Sequence, residues 1–237
     1  MATCDSWRKA HERYRWTVNL SRFKESERYE GYFDRTITAR DVTLFEDEFR
    51  DAVESGASYV LAGEVCYWRN HSNPNPHNLT RNLLNHLKSE SNWAKFRHSL
   101  GTLATNPTYH HFEGIIEACR QTGGFGTPLT FLAFYEPERY PMVDKHIVDW
   151  WAEHRKEFGY GDEPKFSQRR DGSIQPHTRE QRKQNWRAYL AWARFCVEYS
   201  QKLGESCGLH WRARDVEMAV WMAQKGGMSL APQAKRE

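Results

Sequence analysis

The chain has 237 residues, 39% of them hydrophobic, enough to bury one sizeable core or two small helical subdomains. With 34 basic against 31 acidic side chains and a formal charge of +3, composition excludes a strongly basic polyanion-binding domain, so any nucleic-acid function has to rest on local features. No apolar run reaches the roughly 18 residues of a membrane span, and Cys4, Cys66, Cys119, Cys196 and Cys207 form no CxxC pair, so reduced thiols in a soluble, cytoplasmic protein are expected.

Helical periodicity dominates, and alternating strand-type runs are nearly absent apart from a short extended stretch at residues 29–37, so the expected fold is all-α. Residues 41–53 (DVTLFEDEFRDAV) place Val42, Phe45, Phe49 and Val53 at helical spacing, with Gly56 as the stop. A second helix is predicted over 59–69. The segment 70–78 (NHSNPNPHN) reads as a loop, because its prolines and asparagines favour turns, and Thr80 is the expected cap of the helix after it. Further helices are predicted over 83–88, 92–103 and 109–120, the last with Phe112, Ile115, Ile116 and Cys119 on one face. A helix over 127–135, an extended link over 137–143 and a helix over 145–158 follow. Residues 159–178 are polar and too long for an ordinary connector, which predicts a mobile or ligand-contacting loop. Helices over 180–202 and 213–225 and a fraying polar tail complete the chain.

The chemistry-bearing stretch is residues 115–151, IIEACRQTGGFGTPLTFLAFYEPERYPMVDKHIVDWW. Its first half is an amphipathic helix, a turn at Gly124, Phe125 and Gly126, and a second helix with Thr127 as N-cap and Pro128 at the first helical position. Exposed amides at such a helix start can grip a phosphate oxygen without reading sequence, and a glycine C-cap between two helices is the plainer reading of the same residues. In the second half, Tyr140, Pro141, Met142 and Val143 should be extended, leaving Asp144 at the N-cap of a helix that begins Lys145-His146-Ile147.

GGFG, a helix of small and apolar residues, and then PMVDKHIVDWW resemble the hairpin and the proline-valine-aspartate block of helix-hairpin-helix DNA glycosylases. The match spans about a sixth of the chain. Its ERYP approach and its later RDVEMAVW segment, residues 214–221, are most similar to the bacterial oxoguanine-glycosylase-like group. The resemblance implies one all-α glycosylase-like domain over 1–237, built as two helical subdomains flanking a cleft, with the hairpin motif at 109–136 and the aspartate-bearing helix start at 141–158. It implies a partner, double-stranded DNA with an altered base, gripped by Gly124, Phe125, Gly126, Thr127 and Lys145. In the family the aspartate matching Asp144 acts at the sugar, where a fixed carboxylate stabilises the cation formed as the base departs. As a helix cap alone, Asp144 would contribute about 1 kcal/mol.

Bifunctional members carry a Schiff-base lysine early in the second hairpin helix, and Pro128 stands at that position here, which implies a monofunctional hydrolase. No cofactor is expected beyond a monovalent cation that the family can hold at the hairpin, and the expected state is a monomer associated with the nucleoid. A non-catalytic nucleic-acid-binding module that kept the hairpin is the alternative, and an all-α interaction protein unrelated to DNA is a third.

Other signals are weaker. Trp68, Phe125, Trp211 and Trp221 are candidates for stacking on an everted base, with core packing the better expectation for each. His146, Trp150 and Trp151 are expected to pack between subdomains. His71, His77, His110 and His111 show no metal-ligand spacing. The basic run containing Arg169, Arg170, Arg179, Arg182, Lys183 and Arg187 could follow a phosphate backbone or simply face solvent.

Overall fold

The computed structural model describes residues 4–23, 33–119, 124–169, 174 and 178–230. The chain is mainly helical, with one two-stranded antiparallel sheet among the described residues. Its contacts divide it into two compact units, one made of Met1–Tyr14 with Pro137–Glu237, the other of Arg15–Glu136.

The continuous unit opens with β1 (Val18–Asn19), a short 3-10 turn and β2 (Thr36–Ile37), with Val18 opposite Ile37 and Asn19 opposite Thr36. The expected extended stretch at 29–37 is therefore realised only at its end, and residues 29–32 lie outside the described ones. Next come α2 (Val42–Ser55), α3 (Val60–Asn70), α4 (Pro76–Leu87), α5 (Glu90–Thr105), α6 (Tyr109–Ala118) and α7 (Gly126–Tyr135). Every residue of α3 from Val60 to Trp68 is buried, and so is α7 from Thr127 to Phe134. A helix apolar on all sides belongs at the centre of a bundle, and the other helices bury one face each against this pair.

The core of this unit is an aromatic lattice. Phe49 of α2 stacks on Phe131 of α7 at 5.8 Å, while Phe45 and Trp68 both meet Phe134 edge-on at 5.2 Å. The end of α2 is closed by α5: Arg97 donates to the carbonyls of Val53 and Glu54, and Trp93 Nε1 donates to Gly56 O at 3.1 Å. Gly56 takes φ of 75°, the left-handed conformation expected of a helix stop.

The loop read at 70–78 is shorter than expected, because Pro76 begins α4, where a missing amide hydrogen costs nothing. Thr80 is consequently not a cap. It sits buried inside α4, and its hydroxyl donates to Pro76 O at 3.0 Å.

The discontinuous unit contains α1 (Cys4–Glu12), α8 (Lys145–His154), α9 (Arg179–Cys207) and α10 (Ala213–Gly226). Helix α1 packs on α10 and α9. Trp150 and Trp151 do not await another subdomain: they are buried within this unit against Trp192 and Phe195 at 5.6–6.1 Å. Helix α8 ends at His154, earlier than expected, and Arg155 folds the next turn by donating to Ala152 O, Glu163 O and Gly161 O.

The described part of the 159–178 segment is anchored. Asn185 of α9 accepts from Ser167 N at 2.6 Å and donates to the carbonyls of Ser167 and Ile174, and Phe166 and Ile174 are buried. Arg170 and the polar tail at 231–237 lie outside the described residues.

One expectation is overturned outright. Cys4 and Cys207 form a disulfide across a sequence separation of 203 residues, with their Cα atoms 5.5 Å apart, so the thiols are not all reduced. Cys66, Cys119 and Cys196 are free and buried. Burial pushes the Cys66 thiol up to about 12 and raises those of Cys119 and Cys196 well above the usual range.

Candidate active site

Residues 137–139 form a turn rather than the extended link expected there, and residues 140–143 reach Asp144 outside any helix or strand. Their backbone is fixed by side chains from α9 and α10. Tyr189 Oη donates to Pro141 O at 3.0 Å, Trp192 Nε1 donates to Met142 O at 3.1 Å, and Glu217 accepts from Met142 N at 3.4 Å. Glu217 is itself paired with Arg214, and both are buried.

Asp144 then caps α8, with φ of −141° and ψ of −171°. Its Oδ1 accepts from Ile147 N at 3.0 Å, and its Oδ2 accepts from Trp221 Nε1 at 2.8 Å. The half-buried carboxylate thus sits at the positive end of a helix, oriented by one amide and one indole. Each carboxylate oxygen has a second lone-pair site, which leaves acceptor capacity toward a ligand. Trp221 is held in turn by edge contacts with Tyr14 and His146, both at 5.7 Å, and Lys225 Nζ lies 4.5 Å from its ring centre. Lys145 is exposed beside the cap.

A second ionic cluster lies at the start of α10. Asp215 accepts two hydrogen bonds from the Arg212 guanidinium at 2.9 and 3.0 Å and a third from Arg212 N, and His11 Nε2 lies 3.4 Å from its carboxylate. Burial works to raise the Asp215 carboxyl, but the His11 and Arg212 hydrogen bonds and the Arg212 charge outweigh it and hold the group below the usual carboxylate range.

The turn before α7 lies in the continuous unit. Gly124 is exposed with φ of 81°, a conformation that an L side chain rarely adopts. Thr127 is not the N-cap. Phe125 holds that position without a side-chain cap bond, Gly126 is the first helical residue, and Thr127 is drawn inward, where its Oγ1 lies 3.4 Å from Asn70 Nδ2. Pro128 follows as the third helical residue and is buried. Phe125 is buried against Phe112, with ring centres 5.0 Å apart. Of the residues expected to grip phosphate here, Gly124 and Gly126 offer backbone to the surface, whereas the Phe125 and Thr127 side chains pack inward. Residues 120–123 lie outside the described ones.

The four candidate stacking aromatics are core residues: Trp68, Phe125, Trp211 and Trp221 are at most 7% exposed. Trp221 has a different part, as the donor that orients Asp144. The sequence brings the two no closer than 77 positions, so no local spacing could have revealed it. A buried acid in the continuous unit was also not foreseen: Glu64 of α3 pairs with Arg35, which also binds Glu48 at 2.6 Å. Burial pushes Glu64 up to about 7 against the opposing pull of Arg35. Among the described residues, no three His, Cys, Asp or Glu side chains converge as a metal site. No known family model, curated protein or solved structure matches the chain.

Proposed function

We propose that the chain is a DNA-binding, glycosylase-like protein that hydrolyses the N-glycosidic bond of an altered base, with Asp144 as the catalytic carboxylate. The observation that carries this reading is the setting of Asp144 at the N-terminus of α8, where Ile147 N and Trp221 Nε1 fix the carboxylate before any substrate arrives. Cleavage of a base from deoxyribose builds positive charge at the sugar, and an anion preorganised in this way stabilises that charge without reorganising. Its remaining lone pairs can orient the attacking water. With a buried proline where bifunctional glycosylases place their lysine, the reaction ends at the abasic site without cutting the strand. In this reading the amides around Gly124 and Gly126 and the exposed Lys145 meet phosphates of the duplex, and the protein works as a monomer without an organic cofactor.

The second reading, a non-catalytic nucleic-acid-binding module, draws support from the same geometry. Both Asp144 oxygens already serve structural donors, so capping and anchoring would be sufficient reason for the residue.

Single-turnover excision on duplexes each carrying one altered base, developed by heat and alkali, separates the two. The expected result is alkali-dependent cleavage of one duplex by the wild-type protein and its loss in Asp144→Asn. Salt-sensitive DNA binding without excision on any duplex would establish the binding module, and an adduct trapped by borohydride would refute the lysine-free mechanism.

A further inference from the structure

We propose that the Cys4–Cys207 disulfide is a redox latch that fastens α1 to the discontinuous unit, and that its reduction by a dithiol loosens the support behind Trp221 and Asp144. The inference does not depend on whether Asp144 is catalytic.

Helix α1 depends on docking for its place. It has nine residues, too few for an independent helix in water, and buries only Trp7 and Ala10. Its position is set by attachments along its length. Cys4 is bonded to Cys207 at the end of α9, and Trp7 lies in an aromatic slot with Tyr199 at 4.5 Å and Phe158 at 6.4 Å. His11 reaches Asp215 at 3.4 Å, and Arg13 Nη1 lies 3.3 Å from Met228 Sδ. The last residue of this segment is Tyr14, whose ring meets the Trp221 indole that donates to Asp144. The covalent bond is at one end of this chain of contacts, and the candidate site is at the other.

The chemistry is selective for this pair. Cys4 and Cys207 are partly exposed, whereas the three remaining cysteines are buried and their thiols disfavour ionisation. A thiolate of the reducing dithiol attacks one sulfur of the bond, forms a mixed disulfide and expels the other cysteine as a thiolate, which takes up a proton. The second thiol of the reductant then displaces the remaining cysteine. The protein gains two electrons and two protons as Cys4 and Cys207 thiols, and the reductant leaves as its disulfide. The link that closes a loop of 203 residues is lost, so α1 retains only its non-covalent attachments.

The test uses the full chain labelled with nitrogen-15 at tryptophan, oxidised or treated with dithiothreitol. Reduction should add about two daltons to the intact mass. Amide exchange over 4–14 should rise roughly tenfold or more, while the middle of α9 stays protected. The Trp221 indole resonance, assigned by its absence in Trp221→Phe, should shift. Cys4→Ser should show the reduced pattern with or without dithiothreitol. A mass unchanged by reductant would overturn the proposal, as would unchanged exchange over 4–14 together with an unmoved Trp221 resonance in the reduced protein.

Discussion

Replacing Asp144 by Ala removes two interactions at once, and their sizes can be set from the geometry. The Oδ1 bond to Ile147 N is an N-cap, worth about 1 kcal/mol. The Oδ2 bond satisfies the N–H of an indole only 5% exposed, and stranding such a donor costs about 1–3 kcal/mol. The sum, roughly 2–4 kcal/mol, corresponds in a chain of this size to a fall in Tm of about 4–16 °C. Trp221→Phe removes the same N–H while keeping most of the ring, so the two substitutions share one interaction and must not add. A double-mutant cycle in urea should give a coupling of about 1–2 kcal/mol, the doubly substituted protein being more stable than the sum of the single losses implies. Asp144→Asn keeps an oxygen for the cap but turns an amide nitrogen toward the indole, so it should lose the second interaction and retain most of the first. A coupling below about 0.3 kcal/mol would refute the indole anchor and, with it, the argument that the carboxylate is fixed in advance.

Two titrations follow from Asp215 and Glu64. The Asp215 carboxyl is held below its unfolded value, so its contribution is fully present above about pH 4 and is lost as the pH falls below that. Asp215→Asn should therefore lower stability at neutral pH and flatten the acid limb of urea midpoints measured from pH 7 to pH 3, and an acid limb parallel to that of the wild type would contradict the assignment. Glu64 behaves in the opposite sense: with its folded pKa raised from 4.5 to about 7, the folded state holds a proton that the unfolded state has released, and stability falls as the pH rises through that window. The fall amounts to at most about 3 kcal/mol, and Glu64→Gln should abolish it, which urea midpoints between pH 4.5 and 7.5 would reveal.

Where helical stability is written locally, the sequence is a sufficient guide. Val42, Phe45, Phe49 and Val53 define the buried face of α2, and Gly56 ends it as anticipated. The cap at Asp144 was also legible, because an aspartate before an apolar helix is a strong cap. Other features depend on distant partners. Helix α1 buries two residues and is too short to hold its form alone, so it exists through docking on partners that CDSWRKAHE does not reveal. Thr127 has the right chemistry for a cap, yet Asn70 of α3 offers it a buried partner, and the cap falls two residues earlier, on Phe125. The asparagines before Pro76 disguised the start of α4, since the same composition suits a turn and the first residues of a helix. The pairing of Cys4 with Cys207 leaves no trace in local spacing, and neither does the contact of Trp221 with Asp144.

The interrupted chain path of the discontinuous unit sets an order of events during synthesis. Residues 15–136 are contiguous and can complete their bundle while the remainder is still being made, but α1, made before them, meets its partners only after α9 and α10 have emerged. Until then the apolar side of Trp7 has nothing to cover it, and Cys4 is an accessible thiol awaiting a partner encoded 203 residues later. A nascent chain stalled before Arg179 therefore carries a sticky, oxidisable leading segment alongside a finished 15–136 bundle, which is the kind of intermediate a holding chaperone protects.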